Sequence, residues 1–296
     1  MYEKPVFTGS AVAIVTPFAG SAIDCAAFER LIERQIEHGS DAIVVCGTTG
    51  EAATLSYDER SRLIDLCMRT VDGRVPVIAG SGTNSTASSV ALSRAAQRAG
   101  VDALLAVTPY YNKASQSGLV RHFQAIADAV DIPVILYNVP SRTGVKCSAQ
   151  TYQKLAAHPN IVGVKEASDD FELIQDTFNL CPADFTIWSG NDGSTAAIMA
   201  LGGKGVISVA ANIVPREMHE LTQLCLSDRF LEAGQLQLRL HELITALFCE
   251  VNPIPVKAAM AQLGLCGGEL RLPLCTVSDR NLPRLTRAMQ DFGVTV

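Results

Sequence analysis

Short apolar runs rich in β-branched residues recur along the chain, each followed by small or polar residues and then by a stretch with helical spacing. They begin near Ala11 (AVAIVTPF), Ala42 (AIVVCGTTGE), Val75 (VPVIAGSG), Ala103 (ALLAVTPYY), Pro133 (PVILYNVPS), Ile161 (IVGVKEAS), Phe185 (FTIWSGND) and Gly205 (GVISVAAN). Their spacing of roughly 20–33 residues is that of a strand plus a crossover helix. The runs lack strict alternation, which predicts strands covered on both faces, as in a parallel sheet. Between them, the segment from Asp24 to Glu37 puts Phe28, Leu31, Ile32 and Gln35/Ile36 on one side of a helix behind Asp24 as its cap. Ser56-Tyr57-Asp58-Glu59 has the spacing of a capping box, and the segments Ser117 to Val130 and Ser148 to Ala157 read as further helices.

Eight strand–helix repeats predict a closed (β/α)8 TIM barrel; an open doubly wound sheet is the alternative. The barrel is favoured because it needs about 250 residues, and because no GxGxxG opens the first helix. After Asn212 the strand signal stops. Helical sequence continues from Pro215, with breaks at Asn252-Pro253-Ile254-Pro255, Gly267-Gly268 and Pro273. The expected division is therefore a barrel catalytic domain over residues 1–227 and a C-terminal helical domain over 228–296, packed on the barrel.

Composition narrows the function classes. Hydrophobic residues are 48% and charged residues 18% of the 296, which supports a large core rather than disorder. A net charge of −6 without any Lys/Arg run argues against a nucleic-acid surface. Nine scattered cysteines without CxxC spacing fit a reducing cytoplasm better than a disulfide framework. Neither a signal peptide nor an apolar run of about 18 residues is apparent, so a soluble, cytoplasmic protein without membrane contact is expected.

In such a barrel the chemistry lies at the C-terminal ends of the strands. Those ends carry Gly47-Thr48-Thr49-Gly50-Glu51, Gly80-Ser81-Gly82, Thr108-Pro109-Tyr110-Tyr111-Asn112, Tyr137-Asn138-Val139-Pro140-Ser141-Arg142, Lys165-Glu166 and Ser189-Gly190-Asn191-Asp192. No histidine falls among them: His38, His122, His158, His219 and His241 sit in helices or before the next strand. That inventory disfavours a metal site, which needs imidazole or converging carboxylates.

Lys165 ends an apolar strand. Such a lysine can snorkel to solvent or pair with a carboxylate. Inside a barrel, however, desolvation disfavours its ammonium form and makes it a candidate Schiff-base nucleophile. Tyr137, one strand away, is either an interior aromatic with a satisfied hydroxyl or a proton-transfer group. Thr48 and Thr49 lie in a turn that could hold a small carboxylate, or that is simply a tight turn. Arg142 could grip a carboxylate or form a surface ion pair.

These motifs, with Tyr137-Asn138-Val139-Pro140-Ser141-Arg142-Thr143-Gly144 and Val164-Lys165-Glu166-Ala167 in order, closely resemble the dihydrodipicolinate synthase family of the N-acetylneuraminate lyase superfamily. The resemblance runs from Gly9 to Asn252-Pro253-Ile254-Pro255-Val256-Lys257. It implies a class I aldolase that needs no cofactor, because Lys165 itself forms a covalent imine with pyruvate. It implies Tyr137, Thr48 and Tyr111 as a proton relay, with Tyr111 reaching into a neighbouring subunit of a homotetramer built as a dimer of dimers. Thr49, Gly190 and Ile207 match the pyruvate site, and Arg142 matches the residue holding the carboxylate of aspartate semialdehyde. The implied product feeds lysine and diaminopimelate synthesis.

The related sialate and sugar-acid aldolases usually lack the Ser-Arg-Thr-Gly loop; they remain the alternative activity, and a non-catalytic keto-acid sensor is the alternative class. Members inhibited by lysine bind it in a cleft at a dimer interface, to which Asn84 and Tyr110 correspond here. Ser88 stands where sensitive enzymes carry glutamate, and Tyr57 and Arg60 where they carry histidines. Ser88 offers no charge to an ammonium and Arg60 repels one, so weak or absent lysine inhibition is expected.

Overall fold

Eight parallel strands close into a barrel in the computed structural model, which describes residues 5–294. In chain order they are β1 (Gly9–Ala13), β2 (Ala42–Val45), β3 (Val77–Gly80), β4 (Ala103–Val107), β5 (Val134–Asn138), β6 (Ile161–Glu166), β7 (Thr186–Ser189) and β8 (Gly205–Ser208). Each pairs with its sequence neighbours, and β1 closes the ring on β8 through Gly9 opposite Gly205. The expected barrel is thus the observed one, and the open sheet is excluded.

Strands buried on both faces, with inward and outward side chains alternating along all but β6, explain the uninterrupted apolar runs. Ala11, Val44, Leu105, Ile135 and Ile207 belong to a cluster inside the ring, whereas Val12, Val45, Leu104, Leu136 and Val206 belong to the core between strands and helices. Below the pocket, Trp188 stacks on Phe7 at 5.2 Å between ring centroids, and its indole N–H donates to the Phe7 carbonyl.

The helices outside follow their caps. Asp24 accepts from the Ala27 N–H ahead of α1 (Cys25–Glu37), and Ser56 and Glu59 form the reciprocal capping box of α2 (Tyr57–Val71). Helices α3 (Thr86–Arg98), α4 (Gln116–Ala127), the short α5 (Pro140–Thr143), α6 (Ala149–Leu155), α7 (Phe171–Leu180), α8 (Thr195–Ala200) and α9 (Pro215–Leu226) complete the layer. The C-terminal segment adds α10 (Phe230–Leu247), α11 (Ile254–Gln262) and α12 (Leu282–Phe292), with α10 lying against α8, α9 and α12. No described helix is long and apolar enough to cross a membrane.

Candidate active site

Strand β6 presents Lys165 to the lumen by breaking its own alternation. Val134 pairs with Ile161 but Ile135 pairs with Gly163, so one extra residue bulges out of β6. Gly163 permits this: its φ is +157°, and a Cβ there would lie 2.0 Å from the Thr186 carbonyl oxygen. Beyond the bulge Tyr137 pairs with Lys165 and Asn138 with Glu166. Tyr137 and Lys165 both face inward, and the Lys165 ammonium nitrogen lies 4.5 Å from the centroid of the Tyr137 ring.

Lys165 is 5% exposed and forms no ion pair among the described residues. Burial lowers its pKa to about 8, with Asp192 opposing that shift and Arg142 adding to it. A lysine so placed is a free amine in a useful fraction at neutral pH, which an ordinary lysine is not. Burial also raises the pKa of the Tyr137 phenol, against the Arg142 charge and a hydrogen bond with the Thr48 side chain. Amine, phenol and hydroxyl therefore adjoin one another, a set able to form an imine and move protons without imidazole.

The cavity over Lys165 has a volume of about 560 Å³. Thr48, Thr49, Tyr137, Arg142, Lys165 and Gly190 all line it. A Cβ on Gly190 would come within 2.7 Å of the Ala167 side chain, so only glycine fits this wall. Thr49 is buried and its hydroxyl accepts from the Asn252 side chain at 3.0 Å, while Arg142 donates to the Asn252 carbonyl at 3.1 Å. Asn252 thus ties the turn after β2 to the loop after β5.

Two of the expected site residues do not line this cavity. Ile207 is buried in the lumen cluster and does not border the cavity. Tyr111 is 89% exposed, with φ +72°, and projects from the rim instead of into this chain's own cavity. The effector-cleft residues separate as well. Tyr57 and Arg60 share a cleft of about 270 Å³ between α2 and α3. Arg60 and Tyr110 also line a chamber beside Tyr137. Ser88 is exposed on α3, and the Asn84 carbonyl accepts from the Asn112 side chain.

His241 sits in a helix as expected, yet it reaches the site. His241 lines the cavity together with Ile244, Thr245 and Phe248 of α10. Strand ends alone could not reveal this, because α10 comes from the C-terminal segment and folds across the barrel mouth. The break at Asn252-Pro253 was visible in the sequence, but its role in holding Thr49 and Arg142 was not.

Residues 6–292 match the sequence model of the Dihydrodipicolinate synthetase family. A protein of Acetivibrio thermocellus named 4-hydroxy-tetrahydrodipicolinate synthase is 47% identical over 292 residues, which is 99% of this chain and 99% of that one. The solved dihydrodipicolinate synthase of Thermotoga maritima has a TM-score of 0.96 to this fold at 41% identity, covering 98% of this chain and 100% of that one. The chloride inhibited dihydrodipicolinate synthase of Acinetobacter baumannii, solved with pyruvate, gives 0.95 at 43% identity over 97% of this chain and 99% of its own.

Proposed function

This chain belongs to the dihydrodipicolinate synthetase family, and on that premise we propose that it condenses pyruvate with L-aspartate 4-semialdehyde to 4-hydroxy-tetrahydrodipicolinate, a step of lysine and diaminopimelate synthesis. The observation that carries this reading is the unpaired, desolvated Lys165 against Tyr137. The neutral amine adds to the ketone carbon of pyruvate, and loss of water leaves a protonated imine. That imine draws electrons, so a methyl proton leaves and an enamine forms. Its terminal carbon attacks the aldehyde carbon of the semialdehyde. The amino group of the same substrate then adds to the imine carbon, closes the six-membered ring and releases Lys165. Tyr137 and Thr48 carry the protons these steps displace, in place of the imidazole other enzymes use.

Thr49 and Gly190 bound the pyruvate end of the cavity, and Arg142 awaits the second carboxylate at its mouth. No cofactor enters this scheme. In the proposed assembly Tyr111 completes the relay of a neighbouring subunit in a homotetramer, which its exposure supports. Residues 1–227 then form the catalytic domain and 228–296 the helical domain that roofs it, in a cytoplasmic enzyme.

Borohydride reduction with pyruvate present is expected to trap one adduct, mapped to Lys165 and abolished in Lys165→Ala. Turnover without such an adduct would overturn the scheme. Aspartate semialdehyde is expected to be consumed in preference to sugar aldehydes, because an arginine at the mouth suits a short acid. Millimolar lysine at saturating pyruvate is expected to inhibit weakly or not at all. Ser88 is neutral, and the Arg60 guanidinium is held by the Ala52 and Gly80 carbonyls. Half-inhibition below that range would reverse this last expectation.

A further inference from the structure

Directly behind the imine-forming pair lies a second pair that the scheme does not use. Asn138 and Glu166 follow Tyr137 and Lys165 in their strands, pair in the same register, and point away from the lumen. The Asn138 amide nitrogen lies 3.0 and 3.1 Å from the two oxygens of Glu166. The carboxylate also accepts from the Tyr152 hydroxyl of α6 at 2.8 Å and from the Ser168 N–H at 2.9 Å. It is 2% exposed, and every one of these partners is uncharged. A carboxylate buried without a contacting cation is costly, so its presence here asks for a function.

The bulge in β6 bears on that function. Ile161 faces the outer core and Val162 borders the lumen, but Val164 faces outward again. Had alternation continued unbroken from Ile161, Lys165 would face the helices and Glu166 the lumen. Register slips of one residue exchange the two faces of a strand. Here such a slip would exchange the nucleophile for an anion.

We propose that Asn138 and Glu166 are positioning residues: their buried bond on the outer face of the barrel fixes the phase of β6 that turns Lys165 over Tyr137. The Ser168 contact extends the hold to the rim. There Asp169, with φ +56°, lines the cavity and accepts from the Asn191 side chain. Tyr152 binds the same carboxylate from the helix layer and takes no part in the strand-to-strand link, which makes it the internal control.

This inference rests on the imine reading above, so the test measures the rate of borohydride trapping at saturating pyruvate beside kcat and the thermal midpoint. In Asn138→Ala and Glu166→Ala, trapping and kcat should fall together by about 30- to 100-fold, the scale of an ångström of misplacement. The double variant should be no worse than about threefold below the single ones, as expected of two halves of one contact. Tyr152→Phe should stay within about threefold of wild type while lowering the midpoint through one lost hydrogen bond.

Should an alanine variant fail to fold, Glu166→Met keeps roughly the side-chain volume and removes both acceptors. Trapping at least about fivefold slower in that variant supports the proposal, and unchanged trapping overturns it. Wild-type rates in Asn138→Ala, or an equal loss in Tyr152→Phe, would reduce the network to general stability and overturn the positioning role alone. Absence of any adduct in the wild type would overturn the imine reading first, and the clamp with it.

Discussion

Two lysines are buried at the mouth of this barrel, and they have opposite surroundings. Lys165 borders the cavity without a carboxylate partner. Lys257, on α11, is fully buried and donates to Glu51 at 2.7 Å and to the Thr16 carbonyl at 2.9 Å, above the Phe18 ring. Burial lowers the pKa of both, but at Lys257 the hydrogen bond and charge of Glu51 push back, whereas Lys165 settles at about 8. Desolvation alone therefore does not make a nucleophile. The difference is a carboxylate in contact, which holds one ammonium as a structural cation and leaves the other amine free to react. The structural one still serves the site. Through Glu51, whose backbone is left-handed at φ +53°, Lys257 fastens the turn that carries Thr48 and Thr49 to the C-terminal helices.

The sharpest way to test this contrast is to remove each amine in turn. Lys165→Met should lower turnover by at least about a thousandfold, because the proposed imine is formed on this amine. Its urea midpoint should hold or rise, since no carboxylate in contact with the amine is left behind and buried Asp192 keeps the Val209 and Ala210 N–H groups. A clear loss of stability would mean that Lys165 is paired after all. Lys257→Met should do the reverse and destabilise the fold by about 3–5 kcal/mol, by leaving the Glu51 carboxylate buried and uncompensated. Adding Glu51→Gln should restore most of that loss, which denaturant titration of the three variants would show. A single variant as stable as wild type would make the ion pair dispensable and erase the contrast.

The eight strands, the capped helices and the residues at the strand ends were legible because short-range patterns encode them. Periodicity marks a strand covered on both faces, and a polar residue ending such a strand marks the rim. Lys165, Tyr137, Thr48, Thr49 and Arg142 were found in this way. His241 and Asn252 were not seen as parts of the site. They reach it from a segment about a hundred residues after Arg142 in sequence, and nothing local in α10 distinguishes a roof from an outer helix. The bulge that turns Lys165 inward was equally hidden. Gly163 was visible, but its need for φ +157° against the Thr186 carbonyl arises only when β7 is in place. The Glu51–Lys257 pair joins residues 206 positions apart, beyond the reach of any local pattern.

The finest test of the contrast asks what sets the amine of Lys165 at about 8. Protonated amine cannot add to a ketone, so trapping should rise with pH through that value and flatten above it. At pH 7 roughly one amine in ten is neutral, against fewer than about one in a thousand for an unperturbed lysine. Two neighbouring charges pull on this value in opposite directions. Arg142 lowers it by repelling a second cation, and Asp192 raises it by attracting one. Arg142→Gln should therefore move the rising limb to higher pH and slow trapping at pH 7, and Asp192→Asn should move the limb lower and speed it. Either change should be about threefold to tenfold at most, because one pKa unit is a factor of ten. Trapping with pyruvate alone is the proper readout, since in the proposed mechanism Arg142 also faces the second substrate and turnover would mix the two effects. Limbs that move the same way in both variants would show that burial, rather than these two charges, governs the amine. Lys165 and Lys257 would then differ only by the contact with Glu51.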